Sequence, residues 1–278
     1  LNFRRILFLA TVIAIAPSVR AEAPIFDLKP ELELANTRLE LAQNPPPAFR
    51  KSVAQELATL RKERANEAKA CDNVESAPNH LLQTKVYLQA ILLRLAGGSQ
   101  IPANLLNTAY GVCVTPVDQP QGIFANLMSG PRLHLGTIRV PPKFLLEFRT
   151  EDELAFVLAH ELAHFLLKHE IMYGYLTATN RHVDGFAVVS EREADELGMR
   201  MVINADYDID LALTRLKELR KEDSVHFVGS QLQDLRNIVM TDLEKTKRVY
   251  RPRPSESYLP RPVWDEVQVY LRQLSAQL

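Results

Sequence analysis

The sequence predicts a mainly α-helical fold with a small β-sheet, an α+β class. Three observations predict it. Apolar residues recur at three- and four-residue spacing along most of the chain, a single segment around Leu133 to Val140 alternates in strand fashion, and prolines or turn formers separate these stretches. With 278 residues of which 46% are apolar, the chain can bury one substantial core with a helical extension.

Residues 1–21 read as a signal peptide: a basic head at Arg4 and Arg5, an apolar run from Ile6 to Ala16, a break at Pro17 and small residues at Ala21 and Ala23. The run is too short to cross a bilayer, and no other segment approaches a spanning length. An exported protein, periplasmic or secreted, is expected, with no stable membrane span once the leader is removed. Cys71 and Cys113 fit either one disulfide, which would contribute roughly 4 kcal/mol, or two buried thiols.

Residues 22–100 are expected to form a helical extension or hairpin. Leu32, Leu34, Leu39 and Leu41 give Glu31 to Gln43 a weak helical pattern, which Pro45, Pro46 and Pro47 end. Ser52 to Lys69 places Val53, Leu57 and Leu60 on one face, and His80 to Leu95 follows, with Gly97 and Gly98 as its stop. Residues 101–205 form the expected core. Within them, turn formers fill Pro116 to Pro131, and the strand Leu133 to Val140 ends before Pro141 and Pro142. Thr150 and Glu153 compose a capping box for a helix running to about His169, and a second helix covers Ser190 to Met201. Residues 206–278 complete the core with helices at Ile209 to Arg220, Leu232 to Lys245 and Val263 to Leu274, and a proline-rich extended segment at 251–262. No internal repeat is present.

A formal net charge of -1 lacks the basic excess of a nucleic-acid binder, so no nucleic-acid partner is expected. The chemistry lies in VLAHELAHFLLKH, from Val157 to His169. On a helix, His160 and His164 project from one face and can grasp one cation. Glu161 lies one step around, where its carboxylate suits a general base acting on water. His169, nine residues past His160, would point to the opposite side of a continuous helix. Two nitrogens leave zinc short of a catalytic shell, which takes a third protein ligand and one open position. Glu191, in SEREADELG, is the best candidate. Asp195, four residues on, is placed to accept a hydrogen bond from the other nitrogen of a liganding histidine. Glu193 and Glu196 point elsewhere and read as solvated. Ala159, Ala163, Ala194 and Gly198 would let the two helices approach closely.

The spans HELAHFLLKH and EREADELG resemble the HtpX-like and CAAX prenyl endopeptidase-like zinc metallopeptidases, whose metal helix reads His-Glu-x-x-His with another His five residues on, and whose third ligand opens Glu-x-x-Ala-Asp. The resemblance covers about Phe124 to Met201. It implies a zincin-like core, one zinc ion per chain held by His160, His164 and Glu191, Glu161 as base and Asp195 as orienting residue. Membrane-embedded members have several spanning helices, so this chain looks like the soluble exported branch. The family often places Ser-Arg shortly before the third ligand, where this chain has Ala187 and Val188. Its His-Pro signature is also absent, which leaves His226, His182 and Tyr173 as candidate oxyanion donors.

The expected function is zinc-dependent hydrolysis of peptide bonds in exported or misfolded proteins, with an extended polypeptide as partner. The strand Leu133 to Val140 is an expected docking edge for such a chain. The alternative is a catalytically silent or latent zinc-binding module, chaperone-like or partner-binding.

Overall fold

The computed structural model describes residues 23–72, 79–101, 111–114, 132–134, 137–140, 145, 148–214, 229–245, 250–251 and 269. The leader, the helix expected at Val263 to Leu274, most of the proline-rich segment and His226 lie outside the described residues, as do the side chains of Cys71 and Cys113.

Helix α1 spans Lys29–Gln43, with proline in its first turn, and a 3-10 turn at Pro47–Phe49 leads into α2, Arg50–Asp72. Helix α3 is Asn79–Gly98, and three short strands follow: β1 Gly111–Val114, β2 Arg132–His134 and β3 Thr137–Val140. Then come α4 Glu151–Leu166, α5 His169–Ala178, α6 Asp184–Asn204 and, after a helical stretch at 209–214, α7 Gly229–Lys245.

The α+β expectation is corrected: the fold is α-helical in class. Among the described residues the strands hold only three or four residues each, too few to make a layer, and the elements that build the site pack helix on helix. The single strand expected over Leu133 to Val140 is also corrected. His134 pairs with Thr137 and Leu133 with Ile138, so β2 and β3 run antiparallel. Alternation of side chains looks the same for a straight strand and for one that doubles back. β3 also pairs in parallel with β1, in the order β1-β3-β2.

The core is laid down by helical stripes. Leu88, Ile91, Leu92 and Leu95 on α3 face Leu154, Leu158 and Leu162 on α4, and all are almost completely buried. Val202 and Ile203 of α6, Leu235, Val239 and Leu243 of α7, and Ile138 and Val140 of β3 close the same cluster. A satellite cluster joins Ala42 of α1, Val53 of α2 and Tyr175 of α5. The two helices within 52–95 take different main partners: α2 packs on α5, and α3 on α4.

Candidate metal centre

The site is held at the crossing of α4 and α6. Thr150 caps α4 by accepting a hydrogen bond from the Glu153 N–H at 3.3 Å, and Glu153 Oε2 accepts one from the Arg149 N–H at 2.7 Å. The Thr150 half of the expected capping box is therefore formed, while the returning Glu153 bond goes to Arg149, one residue before the cap. Opposite His160, Gly198 of α6 is at a close approach: a Cβ there would lie 3.1 Å from the His160 nitrogen and 3.3 Å from its Cα. Ala159, Ala163 and Ala194 are fully buried at the same contact, as their size suggested.

This crossing brings the expected ligands together. His160 Nε2 and His164 Nε2 are 3.1 Å apart; His160 Nε2 is 3.4 Å from Glu191 Oε2, and His164 Nε2 is 3.5 Å from Glu191 Oε1. A zinc ion about 2.0–2.2 Å from each donor would separate tetrahedral ligands by about 3.3–3.6 Å; both histidine–carboxylate spacings fall in that range and the histidine pair is slightly closer, so the donor set fits the ion with a small spreading of the two rings. The three residues form one cluster in which the ligand atoms lie within 4.8 Å of one another. Glu191 is half-exposed beside two largely buried rings, which leaves that side of the cluster open to solvent.

Asp195, buried, meets His160 Nδ1 at 2.9 Å, the contact expected of an orienting carboxylate. Burial pulls His160 toward neutrality, but the hydrogen bonds with Asp195 and Glu191 and the charges of Asp195 and Glu161 outweigh it, carrying the ring up to about 10 in the metal-free chain. Glu161 is partly buried, and its charge is felt at His160. His164 is driven down to about 3, first by burial and then by the positive His160 beside it. Two rings at this distance share one positive charge.

Two expectations about neighbouring residues are overturned. The metal helix ends at Leu166, short of His169, and Lys168 takes a left-handed conformation at φ 58° and ψ 33° before α5 begins. That turn swings His169 back, so His169 Nδ1 lies 2.8 Å from His164 Nδ1 and its ring is buried. The rotation argument for His169 failed because it assumed an unbroken helix. Glu193 is not a solvated charge either: its Oε2 meets His169 Nε2 at 2.9 Å, and Arg38 grips both of its oxygens at 2.8 and 2.7 Å. Burial opposes the charge on Glu193, but His169 and Arg38 outweigh it and hold the carboxyl below its usual range. His169 is itself held below its ordinary value, chiefly by burial.

Of the suggested oxyanion donors, the Tyr173 hydroxyl is 3.0 Å from Ser190 Oγ, which donates to the Ala187 carbonyl at 2.9 Å. The tyrosine proton is thus committed to Ser190. His182 is exposed ahead of α6. The docking role expected of Leu133 to Val140 is corrected for its second half: β3 is bonded on both sides and its Ile138 and Val140 are core residues.

Residues 82–183 match the model of Peptidase family M48. No curated protein shows a significant match. The matched span contains His160, Glu161 and His164 but stops before Glu191, which the crossing of α4 and α6 supplies independently. Among the described residues no helix is long and apolar enough to cross a membrane. A family match over residues 82–183 spans the histidine pair, and Glu191 stands beside that pair at near-tetrahedral spacing: the chain carries an M48 peptidase domain with a cluster of His160, His164 and Glu191 that could hold one zinc ion.

Proposed function

We propose that this zinc-dependent peptidase is an endopeptidase acting on extended polypeptides, with Glu161 as its general base. The observation that carries the reading is the three-ligand cluster with one solvent-facing side and the Glu161 carboxylate one residue from a ligand. Zinc, when bound, supplies Lewis acidity that activates water and polarises a carbonyl. The chain's own residues do the rest. Glu161 takes the proton from the attacking water and delivers it to the leaving amine, a role that needs a carboxylate near the ligands but outside the ligand set. Asp195 accepts the Nδ1 proton of His160, which fixes the ring with Nε2 toward the ion. Val188, one turn before Glu191 and 55% exposed, offers an apolar lip on the ligand's side of α6. The leader-like composition of residues 1–21 supports exported or misfolded proteins as the substrate pool.

Cleavage of unfolded casein and of short quenched peptides by the purified chain tests this. Glu161→Gln is expected to reduce turnover by about 10²–10⁴-fold with zinc content unchanged, and a chelator to abolish it. Zinc binding without cleavage of either substrate would instead favour the silent or latent module.

A further inference from the structure

The two ligand rings are braced differently. His160 rests on Asp195 directly, whereas His164 reaches a carboxylate through a second ring. If His164 is to present the lone pair of Nε2 to zinc, its proton sits on Nδ1 and is donated to His169 Nδ1. His169 must then carry its own proton on Nε2, which it donates to Glu193 Oε2. Every donor in this relay points the same way, toward a carboxylate that must be ionised and correctly aimed.

What aims it is Arg38, from α1. One nitrogen, Nη2, donates to both oxygens of Glu193, while Nη1 donates at 3.1 Å to the carbonyl of Leu167, the residue that caps the end of α4 just before the left-handed turn. One guanidinium thus holds both the far end of the relay and the end of the helix that carries His164. Phe186 walls the site, its ring edge-on to His169 at 5.8 Å with the guanidinium 5.7 Å from its centroid. Arg38 is a poor candidate for a simple surface charge, being only 12% exposed in its side chain. A second ion pair, Glu31 with Arg200, joins the same two helices seven residues away on each, remote from the relay.

We propose that Arg38 is a positioning residue for the metal ligand His164, acting through Glu193 and His169, so that helix α1, outside the span matched to the family, is part of the metal centre. The proposal rests on the zinc reading of the site. Its guanidinium plane matters as well as its charge, since a fork that contacts two oxygens and a carbonyl fixes direction in a way an ammonium does not.

The test is zinc affinity of the full chain, by competition with a chromophoric chelator at fixed pH, together with the visible spectrum of the cobalt-substituted protein. Arg38→Met and Glu193→Gln are each expected to weaken zinc by about 10–100-fold and to shift the cobalt bands, the size usual for loss of an outer-sphere partner. Arg38→Lys should recover only part of that loss. Arg200→Met, which breaks the other ion pair between α1 and α6, should leave affinity within about twofold. If Arg38→Met binds as wild type does, or if Arg200→Met weakens zinc equally, the relay is overturned and Arg38 merely docks a helix. If Arg38→Met does not fold, Glu193→Gln decides the matter by the same criterion. A wild-type chain that binds no zinc overturns the zinc assignment itself, an outcome distinct from a wild type that binds while Arg38→Met is indifferent.

Discussion

His160 and His164 meet at 3.1 Å, and that distance sets the acid–base behaviour of the pair. With His160 raised from 6.5 to about 10 and His164 lowered to about 3, the metal-free pair holds one proton at neutral pH. Zinc requires both rings neutral, so its binding displaces about one proton. Apparent affinity is expected to rise about tenfold per pH unit between roughly pH 7 and 9 and to level off above the His160 value. Calorimetry in buffers of different ionisation enthalpy counts that proton; a count near zero at neutral pH would contradict the coupling. Stability of the metal-free fold moves the other way. A ring whose folded value is raised stabilises the fold fully below its ordinary 6.5, and that contribution fades as pH climbs through about 10. At this scale the sequence was explicit about the inner ligands, because a four-residue spacing on one helix and the run SEREADELG are local patterns. It was silent about Arg38 and misleading about Glu193 and His169, whose meeting depends on tertiary contacts across 155 and 24 residues.

Between elements, the decisive event is the left-handed break at Lys168. Nothing in Leu166-Leu167-Lys168-His169 announces a helix end, since neither glycine nor proline is present and the apolar period runs on. The turn is imposed by what it joins: the Leu167 carbonyl held by Arg38, and α5 packed against α2. Lys168→Val should therefore be costly, because a β-branched residue resists positive φ; about 1–2 kcal/mol of stability and a parallel loss of zinc affinity are expected. Lys168→Gly, which accepts that backbone readily, should keep zinc affinity near wild type. Thermal unfolding and chelator competition on the two variants separate these outcomes. Helix α5 was not anticipated, but most helices were legible from capping and period, with ends shifted by a few residues: α6 begins at Asp184 rather than near Ser190, and α4 opens at the Thr150 cap as expected. The sheet was not, because three- and four-residue strands leave too short a pattern to show where the chain reverses or which strand lies in the middle.

Across the whole molecule, a second buried polar cluster anchors the other end of the metal helix. Glu151, in the first turn of α4, accepts hydrogen bonds from Tyr87 at 2.7 Å and Tyr207 at 2.9 Å and pairs with Arg94, which also donates to the Ala205 carbonyl and stacks 3.6 Å from the Tyr207 ring centroid. α3, α4 and the segment after α6 are locked there. Removing the arginine leaves a buried carboxylate short of its counter-charge, so Arg94→Met is expected to lower stability by about 3 kcal/mol in urea unfolding. Zinc affinity of the folded fraction should be unchanged, since this cluster sits at the opposite end of α4 from His164. An affinity loss matching that of Arg38→Met would mean that the two ends of α4 are not independent.

The crossing at Gly198 has one more consequence. Because the histidines sit on α4 and Glu191 on α6, an ion bound there is a cross-link between two segments 31 and 27 residues apart in the chain, without a covalent bond. Its strength can be dialled by free zinc concentration: at a hundredfold excess over the dissociation constant it would add about 2.7 kcal/mol to the native state. In a zinc-poor setting the same polypeptide would lose its catalyst and its staple together, so starvation for the metal would mark the enzyme for unfolding as well as silence it.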